Sequence, residues 1–94
     1  MIMAEIKTPE HKYKHIIFEK VSDSASGKTA TFSCENHDGT PLGAIDWMCG
    51  WRQYCFFPLE ETLYSQSCLK DIADFISKLM EDRKQRLQGG DPSQ

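Results

Sequence analysis

The sequence predicts an α+β fold: a four-stranded antiparallel β-meander followed by one C-terminal amphipathic helix packed on one sheet face. Three observations carry this. Segments rich in β-branched and aromatic residues, each bounded by turn formers, recur at His15–Val21, at Thr29–Glu35 and on both sides of Cys49-Gly50. From Ser67 onward, apolar residues fall instead at spacings of three and four, the period of a helix. With 94 residues, 39% hydrophobic and 27% charged, the chain is long enough for one core and too short for two.

The first strand is HIIFEKV, and the turn formers SDSASGK close it. The second is TATFSCE, whose alternation puts Ala30, Phe32 and Cys34 on one face and Thr29, Thr31, Ser33 and Glu35 on the other. A turn through Asp38-Gly39 follows. The third and fourth strands form a hairpin. Read as a two-residue turn at Cys49-Gly50, it sets Met48 opposite Trp51, Trp47 opposite Arg52, Asp46 opposite Gln53 and Ile45 opposite Tyr54. One face then carries Leu42, Ala44, Asp46, Met48, Trp51, Gln53, Cys55 and Phe57, and the other Gly43, Ile45, Trp47, Arg52, Tyr54 and Phe56. Both faces are apolar with a polar group or two set in.

Pro58 ends the fourth strand because it has no N–H for a ladder. The helix then presents Leu69, Ile72, Ala73, Ile76, Leu79 and Met80 as its apolar stripe, with Ser65 or Ser67 as cap. Asp71 early and Arg83, Lys84 and Arg86 late complement its dipole, Asp74 and Lys78 form an i,i+4 pair, and Gly89-Gly90 and Pro92 stop it. About 18 helical residues cover one sheet face, not two. The other face calls for the N-terminal segment, a second copy of the chain, or a partner, so a homodimer is expected. Residues 1–12 read as a flexible N-terminal segment, 13–87 as the single domain and 88–94 as a disordered C-terminal tail.

Composition narrows the function classes. The net charge is -3, and between Lys28 and Lys70 the only lysine or arginine is Arg52, against Glu35, Asp38, Asp46, Glu60 and Glu61. So acidic a centre excludes an extended duplex-DNA surface. No apolar run is long enough for a membrane span, and the start has no apolar signal region, which places the chain in the cytoplasm of a bacterial host with Cys34, Cys49, Cys55 and Cys68 reduced. Cys34, His37, Cys49 and Cys55 offer soft ligands, but not at the spacing of a structural zinc site, so no metal is expected. There is no phosphate loop, no Ser-His-Asp set and no carboxylate pair in an apolar frame, which leaves no enzyme and no cofactor to expect.

The stretch Trp47–Pro58, WMCGWRQYCFFP, sets five aromatic rings around one arginine. Trp47, Trp51, Arg52, Gln53 and Tyr54 are therefore the candidate binding residues. Arg52 suits a carboxylate or phosphate beside a stacking ring, or a cation–π contact on Trp47 across the hairpin. In this register Trp51 and Gln53 belong to the face opposite Arg52 and Tyr54, so with Arg52 exposed, Trp51 is expected in the core.

The segment from Leu42 to Phe75 resembles a family of short, uncharacterised bacterial, phage and prophage proteins with the pattern L-G-x-I-x-W, W-[RK]-Q-Y-x-F-x-P and C-L-x-x-I-x-x-F. The matching residues include Leu42, Gly43, Ile45, Trp47, Trp51 to Tyr54, Phe56, Pro58, Cys68, Leu69, Ile72 and Phe75. The resemblance covers about half of the chain and implies a mobile-element setting, with no activity attached. The resulting expectation is a non-enzymatic binding module that engages a host protein or sequesters a small anionic, nucleotide-like ligand. The alternative is a single-stranded nucleic-acid accessory protein.

Overall fold

The computed structural model describes residues 8, 9 and 11–90. The flexible ends expected at 1–12 and 88–94 lie mostly outside them. Strands β1 (Ile16–Asp23), β2 (Ala30–Asn36), β3 (Pro41–Met48) and β4 (Gln53–Pro58) form one antiparallel sheet in the order β1-β2-β3-β4, and helix α1 (Gln66–Gly90) follows. This is the α+β meander that the alternation and the helical spacing predict.

The pleat of β2 sorts its residues as expected, with Ala30, Phe32 and Cys34 buried and Thr31, Ser33 and Glu35 half-buried on the opposite face. In β1, Ile16 and Phe18 point inward, and a bulge between Lys20 and Ser22 interrupts the pairing and leaves Val21 exposed. The β2–β3 turn closes through Gly39 at φ +92°, and Asp38 Oδ1 accepts from the Thr40 N–H at 2.9 Å. That backbone hydrogen bond holds the Asp38 carboxyl below its usual range.

The core lies between the sheet and α1, on the face that carries Ile45 and Tyr54. Phe75 stacks flat on Phe18 at 4.1 Å between centroids and meets Phe32 edge-on at 5.3 Å, so one helical ring ties β1 to β2. Ile72 and Leu79 flank it, both buried. Leu69, expected in this stripe, is half exposed. The cap is Ser65, whose Oγ accepts from the Cys68 N–H at 3.2 Å.

The helix is 25 residues long rather than about 18. At ~1.5 Å per residue it is longer than any strand it crosses. The extra length moves its ends, so no acid falls in its first turn and no base in its last; Asp71, Arg83, Lys84 and Arg86 lie further inside than the dipole argument requires.

Ahead of β1 the chain folds back on itself. The Phe18 N–H donates to the His11 carbonyl at 2.9 Å and the Tyr13 N–H to that of Ile16 at 2.8 Å, so residues 11–13 lie along the start of β1. Tyr13 then reaches α1: its hydroxyl donates to Asp74 Oδ2 at 2.7 Å and accepts from Lys78 Nζ at 3.3 Å, while Asp74 and Lys78 pair at 3.0 Å as the i,i+4 spacing predicts. Burial, reinforced by the hydrogen bond to Asp74, pushes the Tyr13 phenol up to about 12. The Tyr13 hydrogen bond, followed by that from Lys78, holds Asp74 low.

Candidate functional site: the β3–β4 hairpin tip

The hairpin turn spans four residues, not two. Met48 pairs with Gln53, Trp47 with Tyr54, Asp46 with Cys55 and Ile45 with Phe56, so the expected register slips by two. An even slip leaves the paired residues from Ala44 to Met48 and from Gln53 to Phe57 on their expected faces, whereas Leu42, at the bulge between β2 and β3, packs against the core instead of lying opposite it. It removes Trp51 and Arg52 from the strand, however, and places them in the loop Cys49–Arg52. The Met48 carbonyl caps this loop by accepting from the Arg52 N–H at 2.7 Å and the Trp51 N–H at 3.1 Å. Arg52 takes the left-handed conformation at φ +57°, which a side chain adopts at a cost of ~1 kcal/mol or more and which turns the chain back into β4.

The structure divides the five sequence-derived candidates. Trp51, Arg52 and Gln53 stand together at the tip, all exposed, with Trp51 at 69%. The expectation that Trp51 is a core ring is therefore corrected: a loop residue escapes the pleat that would have sorted it inward. Tyr54 lies in the core at 3% exposure, and its hydroxyl accepts from the buried Ala30 N–H at 3.2 Å. Burial raises its phenol above the ordinary range. Trp47 is half-buried, edge-on to Tyr54 at 5.3 Å, and the cation over its ring is not Arg52 but Arg83, 4.2 Å from the centroid.

The sequence did not show which cations of α1 reach the same end of the sheet as Arg52. Arg83 on Trp47 and Arg86, whose Nη2 donates to the Lys28 carbonyl at 3.2 Å, bring the late turns of α1 to the sheet end from which the tip projects. The charge there is partly offset, because Arg86 Nε pairs with Asp82 at 3.0 Å. Arg83 Nε is buried with no hydrogen-bond partner among the described residues, and the guanidinium stacks on Trp47. The only sequence signal for this group was the i,i+3 spacing of two arginines, which does not say where the helix end lands.

The sheet face away from α1 is mixed rather than apolar. Glu19, Thr31, Ser33, Asp46 and Gln53 interleave with Ala44, Cys55 and Phe57, and Thr31 Oγ1 donates to Asp46 Oδ1 at 3.0 Å. These polar and charged groups reduce the apolar area that a partner covering the whole face would bury.

The cysteines are dispersed: Cys34 is buried on the core face, Cys55 lies on the opposite face and Cys49 is exposed in the hairpin loop. His37 Nε2 instead lies 2.6 Å from the Tyr13 carbonyl oxygen. Among the described residues, no three His, Cys, Asp or Glu side chains are grouped to hold a metal ion, and no helix is long and apolar enough to cross a membrane.

Over 59 residues the chain is 37% identical to an uncharacterized 9.3 kDa protein of Acholeplasma phage L2, a match covering 62% of this chain and 76% of the phage protein. The chain belongs to the family of that phage protein. No protein-family profile and no solved structure matches it.

Proposed function

We propose that the protein is a non-enzymatic binding module with a phage accessory role, and that the β3–β4 tip is its contact surface. The observation that carries this reading is Trp51, an indole 69% exposed at the end of a closed hairpin, beside the exposed guanidinium of Arg52. Tryptophan and arginine are the residues most enriched at energetic centres of interfaces, and a large ring kept in water calls for a reason. The tip is convex. A nucleotide-sized ligand is usually held in a concave site, whereas a projecting ring fits a pocket on a macromolecule. The partner is accordingly a host protein with an apolar pocket rimmed by carboxylates that receive Arg52.

Affinity capture from a bacterial host lysate tests this, with the wild type compared against Trp51→Ala/Arg52→Ala. The wild type should enrich a host protein that the variant, still folded, binds roughly thirty-fold more weakly, as follows from losing ~2 kcal/mol at such a centre. Equal capture by both proteins would refute the assignment.

The second reading is single-stranded nucleic acid stacked on Trp51, with Arg52, Lys28 and Arg86 near phosphates. The gathering of those bases at one end favours it, while the pairing of Arg86 with Asp82 weighs against it. A gel shift that weakens steeply with salt would select it.

A further inference from the structure

The two sheet edges differ. The start of β1 is lined by residues 11–13, and its middle is broken by the bulge at Val21. Along β4, the other edge, the described residues place no strand. The phase of the β3–β4 ladder shows which groups β4 presents there. The Leu59 N–H donates to the Leu42 carbonyl at 2.9 Å, one step beyond the Gly43–Pro58 pair. Hydrogen-bonded pairs alternate, so Gln53, Cys55 and Phe57 bond inward to β3, while Tyr54 and Phe56 aim their N–H and C=O groups off the edge. Such a row of groups is a template for another strand.

We propose that this edge pairs with itself: two copies of the chain join antiparallel through β4, with Cys55 on the two-fold axis. The inference rests on the reading of the tip as a contact surface: in the free protein a second copy of the chain occupies the tip, and the host protein displaces it.

Centred on Cys55, Tyr54 of each copy faces Phe56 of the other, and all four outward N–H groups and their carbonyls are used. Moving the centre to Phe56 sets Tyr54 against Pro58, which has no N–H. Moving it to Tyr54 sets Phe56 against Arg52, which is in the left-handed conformation and outside the strand. The Cys55 register also places exposed apolar groups at the pairing. It brings Trp51 alongside Leu59, 49% exposed, and sets Phe57, 42% exposed, opposite Gln53. Leu63, 95% exposed, lies in the same β4–α1 segment as Leu59.

Charge agrees with this register. Arg52 comes opposite Pro58 and next to Glu60 and Glu61, all of them exposed, so the base of one copy meets the acids of the other, and the two-fold axis repeats the contact. A two-fold pairing of this kind uses the β4 edge of both copies and closes at two, because the β1 edges are lined or bulged.

Two measurements test the proposal on the full chain. Sedimentation at tens of micromolar should give twice the 10.8 kDa chain mass. Arg52→Glu should weaken the dimer roughly tenfold or more, and Glu60→Lys with Glu61→Lys in the same chain should restore it. In a Cys49→Ser/Cys68→Ser background, diamide should oxidise two Cys55 thiols to one disulfide and itself be reduced to the hydrazine. Residues facing each other in a non-hydrogen-bonded pair have Cα atoms ~4.5 Å apart, within the span a disulfide bridges. The linked dimer should vanish with Cys55→Ser.

A monomer mass at these concentrations, or a dimer that Cys55 does not link, would overturn the pairing. Tip-dependent capture of a host protein by a monomer would leave the proposed function standing while removing this inference. A Cys55-linked dimer with tip-independent capture would do the reverse.

Discussion

Replacing Gly43 by alanine should loosen the β3–β4 pair that carries the tip. A Cβ built at Gly43 falls 2.5 Å from the Phe57 carbonyl oxygen and 2.9 Å from two ring carbons of Phe56. The ring can swing, but the carbonyl belongs to the Ala44–Phe57 pair and moves only with its strand. Relieving a 2.5 Å carbon–oxygen contact needs a displacement of several tenths of an ångström, which lengthens neighbouring ladder bonds. Overpacking of this kind costs ~1–3 kcal/mol, against ~0.4–1 kcal/mol returned by restricting the unfolded chain. For a domain of this size each kcal/mol shifts Tm by ~4–8 °C, so a net loss near 1–2 kcal/mol lowers Tm by roughly 4–16 °C. Thermal melts followed by circular dichroism, with urea titration as a check on two-state behaviour, measure it. A Tm within 2 °C of wild type would refute the reasoning, because the close approach would then be relieved without strain.

Three further outcomes follow from the packing. Tyr54→Phe strips the acceptor from the buried Ala30 N–H and should cost ~1–3 kcal/mol, whereas Trp51→Ala should stay within ~0.5 kcal/mol at protein concentrations too low for β4 pairing, and chemical denaturation there separates the two. Tyr13→Phe should be less stable than wild type below pH 10, and the gap should close as the pH rises from 10 to about 12: the folded phenol holds its proton above its unfolded value, so its stabilisation is present below that value and lost on passing the folded one. Cys34, buried with its thiol pushed up to about 12, should react with a thiol reagent only on unfolding, while the exposed Cys49 should react at once in the native protein.

The fold was legible because its signals are local. The alternation of Ala30, Phe32 and Cys34 and the spacing of Ile72, Ile76 and Leu79 each reflect one element's period, and neither depends on what lies across the domain. The hairpin was harder. Gly50 invited a two-residue turn, but the left-handed residue of the loop is Arg52, and no composition signal marks an arginine for that role. The two-residue slip preserved the faces and still changed the site, since it took Trp51 out of the strand.

The choice of face was also hidden. Trp47, Tyr54 and Phe56 on one side and Met48, Cys55 and Phe57 on the other look alike in hydropathy in the sequence, and what decides between the two faces is α1. The helix sets Phe75 on Phe18 and Phe32, and Arg83 on Trp47, contacts that join residues far apart in the chain. The same distance concealed the anchoring of Tyr13 on Asp74 and Lys78.

Hydrogen–deuterium exchange on the protein alone and bound to the host protein that it captures tests the role of the tip most directly. Binding at the tip predicts slowed exchange at the backbone amides of residues 50–54, with those of β1 and β2 unchanged. Protection confined to β1, β2 or α1, with the amides of residues 50–54 exchanging as in the free protein, would contradict it.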